Sequence, residues 1–169
     1  MNLFLLSWNP HECAKNHCDK HVVKMILELT QMLYTAWQIN NNSDLPSCAP
    51  KCLSTGKYGY KKLSNPNHPM AKWVRESKWN YTFTIKLSIY LGFEYTYRYS
   101  KYHSCESHIL WLSSNFPVFN CVTRTSIPQC MPDQYKVIDD PVKAYQNYYI
   151  GDKTGFAKWT KREQPSFIL

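Results

Sequence analysis

The chain has 169 residues, 20 Lys and Arg against 12 Asp and Glu, a formal charge of +8, and an aromatic content of 15%. That length suits one folded domain, residues 1–169, with a proper core. No run approaches the ~18 apolar residues of a membrane span, so a spanning protein is excluded. The positive balance favours nucleic acid, nucleotides or other anions as partners.

The seven cysteines are odd in number and irregularly spaced, and "MNLFLLSWNP" lacks the positive charge that opens a signal peptide. Both features predict a reducing, intracellular setting with free thiols.

In chain order, "NLFLLS" (2–7) reads as a short buried strand or an extended lead-in. Asn9-Pro10-His11-Glu12 is a helix start, with Asn9 as cap and Pro10 at the first helical position, and the helix is expected to run from 10 to about 38. Residues 41–66, rich in Asn, Pro, Gly, Ser and Lys, read as a long surface loop. His68-Pro69 opens a second helical stretch to about Tyr99, with a break expected near Gly92. A third helix is expected around Ser104–Ser113, irregular chain over 115–138, a short helix from Asp140-Pro141, and a last basic helical turn or two in "GDKTGFAKWTKR". The predicted fold class is mostly α: a compact helical domain with a short N-terminal strand or lead-in and one long loop.

Ionisable residues concentrate on the first helix. At about 100° per residue, His21, Lys24 and Glu28 fall within about 40° of His17, with Lys20 slightly aside. Gln31 also lies slightly aside and Thr35 returns to the His17 direction; every other position from Val22 to Trp37 is apolar apart from Thr30, over about 220° of the circumference. Such a narrow polar seam lines a cleft or forms a plain solvated strip. Lys20, His21, Lys24 and Glu28 combine an amine nucleophile, a proton carrier and a carboxylate, and are the candidate catalytic group. Cys13, His17 and His21 recur every four residues, which offers zinc three ligands but no fourth; the expectation is no cofactor, with zinc as the alternative. Cys48 and Cys52 have a ligand-like spacing without a second pair.

On the second helix, Glu94 and Arg98 return to within about 40° of Asn80, with Lys101 further round. Arg75, Asn80, Glu94, Arg98, Lys101 and His103 form the candidate substrate-binding set, a phosphate-gripping cluster facing the first seam; the alternative is an ordinary Glu94–Arg98 surface pair.

The stretch Cys18-Asp19-Lys20-His21-Val22-Val23-Lys24-Met25, with Glu28 and Gln31, resembles the signature helix of an uncharacterised small-protein family of tailed phages and large DNA viruses. The similarity continues through "MNLFLLSWNP", "HPMAKWVRESKWNY", "EYTYRYSKYH", "PQCMPDQYK" and "AYQNYYIGDKTGFAKWTKREQP". Cys13 and His17 lie outside it. The resemblance implies a viral protein acting in the host cell interior, and it implies no activity.

Together these features predict a viral nucleic-acid-processing protein, with base excision by a lysine nucleophile as the leading chemistry. The alternatives are a non-enzymatic nucleotide or signalling-metabolite binder that counters host defence, a metal-dependent phosphoesterase, and a structural or interaction protein. No P-loop, zinc finger, RNP or GxGxxG pattern is present.

Overall fold

Extended and helical segments are assigned from a computed structural model, which describes residues 2–60 and 65–168. Residues 61–64 of the expected 41–66 loop lie outside the described residues. Among the described residues there are six α-helices and no β-strand: α1 (Pro10–Asn16), α2 (Asp19–Asn41), α3 (Pro69–Glu76), α4 (Lys78–Tyr99), α5 (Glu106–Ser114) and α6 (Pro141–Asp152). Three short 3-10 turns follow Pro132, Lys153 and Pro165. The mostly α expectation holds, and no described helix is long and apolar enough to cross a membrane.

Residues 2–7 are the extended lead-in rather than a strand. Leu3, Phe4, Leu5 and Leu6 are all buried, and Gln146 of α6 donates to the Leu6 carbonyl. The lead-in is thereby tied to α6 and contributes four side chains to the core that surrounds α2. α2 packs against α3, α4 and α5, and α4 runs antiparallel to it, since Asn40 bonds the Arg75 carbonyl at one end and Asp19 meets Arg98 at the other.

Two breaks differ from the sequence reading. The single helix over 10–38 is two helices, because His17 and Cys18 adopt extended backbone. Arg98 holds this break open: its guanidinium donates to the carbonyls of Lys15 and His17, which a continuous helix would have used internally. The other break falls at Ser77 and not near Gly92. Ser77 is extended and its hydroxyl caps the Asn80 amide, whereas Gly92 lies inside α4.

The expected 41–66 loop begins one residue late, after Asn41, and is anchored by buried Leu45, Ala49 and Cys52. The α5 and α6 expectations hold within a residue or two. The last basic segment ends α6 at Asp152, makes one 3-10 turn and then forms a strap: Trp159 donates to the Asn16 carbonyl and Thr160 to the Asp19 carboxylate, closing over the α1–α2 break.

Candidate functional site

The first turns of α2 carry Lys20, His21 and Lys24, and α6 brings Tyr148, Tyr149 and Lys153 up beside them. His21 is buried except for a small edge, 8% exposed. Its ring stacks on Phe4 at 4.5 Å between centroids and meets the edges of Tyr149 and Phe156. Nδ1 lies 2.5 Å from the Tyr149 hydroxyl. Burial pushes the Tyr149 phenol well above its ordinary pKa, so it stays protonated; its other acceptor is the weaker Cys18 Sγ at 3.9 Å. We therefore assign the phenol proton to the bond with Nδ1, which puts the imidazole proton on Nε2. The small exposed edge of His21 leaves this neutral donor ring within reach of the surface.

Burial lowers the His21 pKa to about 3, helped by the charges of His17, Lys153 and Lys24. The imidazole is thus neutral, and its N–H is a fixed donor in a positive field. Lys153 Nζ rests 3.1 Å from the Tyr148 hydroxyl and Lys20 Nζ lies 4.9 Å from the Phe156 ring centre. Lys24 extends into solvent and pairs with Glu28 at 3.3 Å. Glu28 is nearly buried and also accepts from the Asn2 amide at 2.8 Å, so its carboxylate closes one side of the patch.

Beyond Tyr148 the surface opens into a hollow of about 480 Å³ floored by Pro128–Pro132 and bounded by His68. His68 Nδ1 caps α3 by accepting from the Met70 amide, which leaves its N–H on Nε2. Aromatic faces, a hollow of small-molecule size and three ammonium groups form a surface suited to a phosphate-bearing ring.

Each expected residue has a place. Lys20, His21, Lys24 and Glu28 do share one surface. However, Lys20 is solvent exposed, as are Val23 and Leu27, so the burial expected to activate it as a nucleophile is missing. The α2 face is also less embedded than its composition implied. The second set divides between the two ends of α2 and does not form one cluster. Arg98 and Glu94 are buried in an ion cluster: the five N–H donors of Arg98 reach Glu94, Asp19 and the carbonyls of Lys15 and His17, and Arg162 takes the other side of Glu94. Arg98 is thus a buried clamp: its donors are all used inside, in place of the expected phosphate contact, and its pairing with Glu94 is not the surface pair of the alternative. Asn80 is fully buried, bonding the Trp73 carbonyl and both the hydroxyl and amide of Thr125. Arg75 donates to the Pro66 carbonyl. His103 accepts from the Cys105 amide, and Lys101 is exposed.

The zinc spacing depended on one helix through Cys13, His17 and His21, and the break at His17 removes that register. Cys13 Sγ bonds the Phe4 carbonyl and Leu6 amide, and His17 Nδ1 bonds the Cys13 carbonyl at 2.7 Å. Among the described residues no group of three His, Cys, Asp or Glu is arranged to hold a metal. The seven cysteines are free thiols.

Phe4, His68, Tyr148, Tyr149, Lys153 and Phe156 were missed by sequence reasoning. The only signal for them was the four-residue spacing of Tyr145, Tyr149 and Lys153, which marks one face of α6. No protein-family model, curated protein or solved structure matches the chain.

Proposed function

We propose that the protein binds nucleotides or single-stranded nucleic acid at the His21 patch. The observation that carries this reading is that Lys20, Lys24 and Lys153 share one surface with a neutral, Tyr149-held imidazole and its aromatic neighbours Phe156 and Tyr148, beside the hollow at Tyr148. Ammonium groups and the Nε2–H would take phosphate oxygens, and the rings would take a base. The overall charge of +8 supports the same partner class. The resemblance to a viral family supports reading this binding as an event inside an infected host cell.

A second reading, processing of the bound strand, is favoured by the bond between Tyr149 and His21, because it fixes Nε2–H as a donor to a phosphate oxygen that gains charge during the reaction. Its base-excision form needs a buried lysine, which Lys20 is not. Phosphate-ester hydrolysis, with Glu28 as the base and the His21 N–H as a donor to the phosphate, is the form that keeps the neutral imidazole.

The test uses fluorescein-labelled oligo(dT) and the full chain, titrated at several salt concentrations, with deoxynucleoside monophosphates as competitors. Substituting Lys20, Lys24 and Lys153 together by Ala should weaken binding and flatten the salt dependence by about 2 in log–log slope, at about 0.7 for each lost phosphate contact. An unchanged affinity and slope would remove the site. Appearance of a shortened or base-free strand on a denaturing gel would select the processing reading over simple binding.

A further inference from the structure

We infer that the corner formed by Trp8, Trp79 and Phe83 is a second binding site, which stacks an unpaired nucleobase while Lys78 and Lys86 hold the flanking phosphates. The corner has a defined shape. Trp79 and Phe83 lie one turn apart on α4 and stack with centroids 5.5 Å apart and planes 9° from parallel. Trp8 stands across both, 5.9 Å from Trp79 and 5.6 Å from Phe83, at angles of 67° and 68°. The result is an L of ring faces bordering a hollow of about 410 Å³.

Arg124 shows that these indole rings take a planar partner. Its guanidinium lies 4.7 Å from the Trp8 ring and 5.7 Å from Trp79. This group is planar and delocalised, like a base, and it comes from an exposed loop residue. The indoles thus already hold one flat group within cation–π distance of their rings. Trp8 and Trp79 are half-buried, so part of each ring is reachable, whereas Phe83 is buried.

The surrounding charge selects the occupant. Lys78 and Lys86 line the hollow and are exposed, and among the described residues no carboxylate lines it. A cationic ligand would be repelled, and a purely apolar one would leave the cations unused. The rim also includes the first turn of α4, the positive end of a 22-residue helix. Rings that stack any base, with cations on either side, match a single strand and not a duplex, whose bases are already stacked. These residues are separate from the His21 patch, so the inference stands apart from that reading.

The test is photocrosslinking of the full chain to oligo(dT) carrying one 5-iodouracil, with peptide mapping by mass spectrometry. Adducts are expected on Trp8 or Trp79. Substituting the two exposed lysines, K78A/K86A, should lower oligo(dT) affinity several-fold and reduce those adducts, leaving mononucleotide binding unchanged. The adducts should persist in the K20A/K24A/K153A protein, which distinguishes failure of this corner from failure of the His21 patch. Adducts confined to other residues, K78A/K86A binding equal to that of the unaltered chain, or duplex DNA competing as well as oligo(dT) would each overturn the inference.

Discussion

Replacing Arg98 is expected to unfold much of the margin on which the protein rests, without touching its ligand. The side chain is wholly buried and satisfies two carboxylates and two carbonyls at the α1–α2 break. Arg98→Ala leaves those acceptors buried and Glu94 paired with Arg162 alone. Removing one partner from a buried charged network costs about 3–5 kcal/mol, against a total stability of roughly 5–15 kcal/mol for a typical domain. For a chain of this size that corresponds to a melting temperature lower by about 10 °C. Arg98→Lys brings three donors where five are used and should lose about 2–3 kcal/mol. Urea unfolding followed by tryptophan fluorescence measures both. Burial alone would raise the Glu94 carboxyl, but hydrogen bonds from Arg162 and Arg98 and their charges hold it below its ordinary value. That contribution is present above the ordinary carboxyl pKa and is lost as pH falls through the lowered one, so the variants should show a shallower acid loss. If Arg98→Ala stayed within 1 kcal/mol of the unaltered protein, the clamp would be wrong. If Arg98→Lys kept full stability but lost oligo(dT) binding, Arg98 would be a ligand contact, as the sequence had suggested.

Burial lowers His17 to about 4 and His21 to about 3, so both are neutral when folded but take up protons when unfolded below their ordinary pKa of 6.5. Their contribution is complete above pH 6.5 and declines as pH falls toward those lowered values; between pH 7 and 5 the two should cost about 4 kcal/mol, at about 1.4 kcal/mol per pH unit each. Equal urea midpoints at pH 7 and 5 would contradict this. Gly59 has φ +49 and a Cβ there would lie 2.6 Å from Leu45 Cδ1 and Tyr34 Cε1, so Gly59→Ala should lose about 2–4 kcal/mol in the same assay. Gly92 sits in a helix with open space around it, and Gly92→Ala should gain about 0.5–1 kcal/mol. Asn80→Ala should destabilise by about 2–3 kcal/mol by leaving the Trp73 carbonyl and Thr125 unpaired, with oligo(dT) affinity unchanged in the folded protein.

Helix starts at Asn9-Pro10, His68-Pro69 and Asp140-Pro141 were legible because caps and proline are local signals. The breaks at His17 and Ser77 were not, because the first depends on Arg98 arriving from α4 and the second on a serine cap that an uninterrupted helical pattern conceals. The seam of His21, Lys24 and Glu28 was visible as a periodic line. Its partners were not, since Tyr149 and Lys153 come from more than a hundred residues away. Polar residues on α4 read as ligand contacts because sequence does not distinguish a polar side chain facing solvent from one satisfied inside; Asn80 and Arg98 are of the second kind.

The central claim concerns one atom, Nε2 of His21. Protein labelled with ¹⁵N-histidine and titrated with oligo(dT) or a deoxynucleoside monophosphate reports on it by imidazole NMR. The His21 Nε2 resonance should start in the protonated, neutral tautomer and shift on titration, while those of buried His17 and His108 hold still. A His21 resonance that is unmoved at saturating ligand, or moves no more than that of His108, would contradict the proposed site.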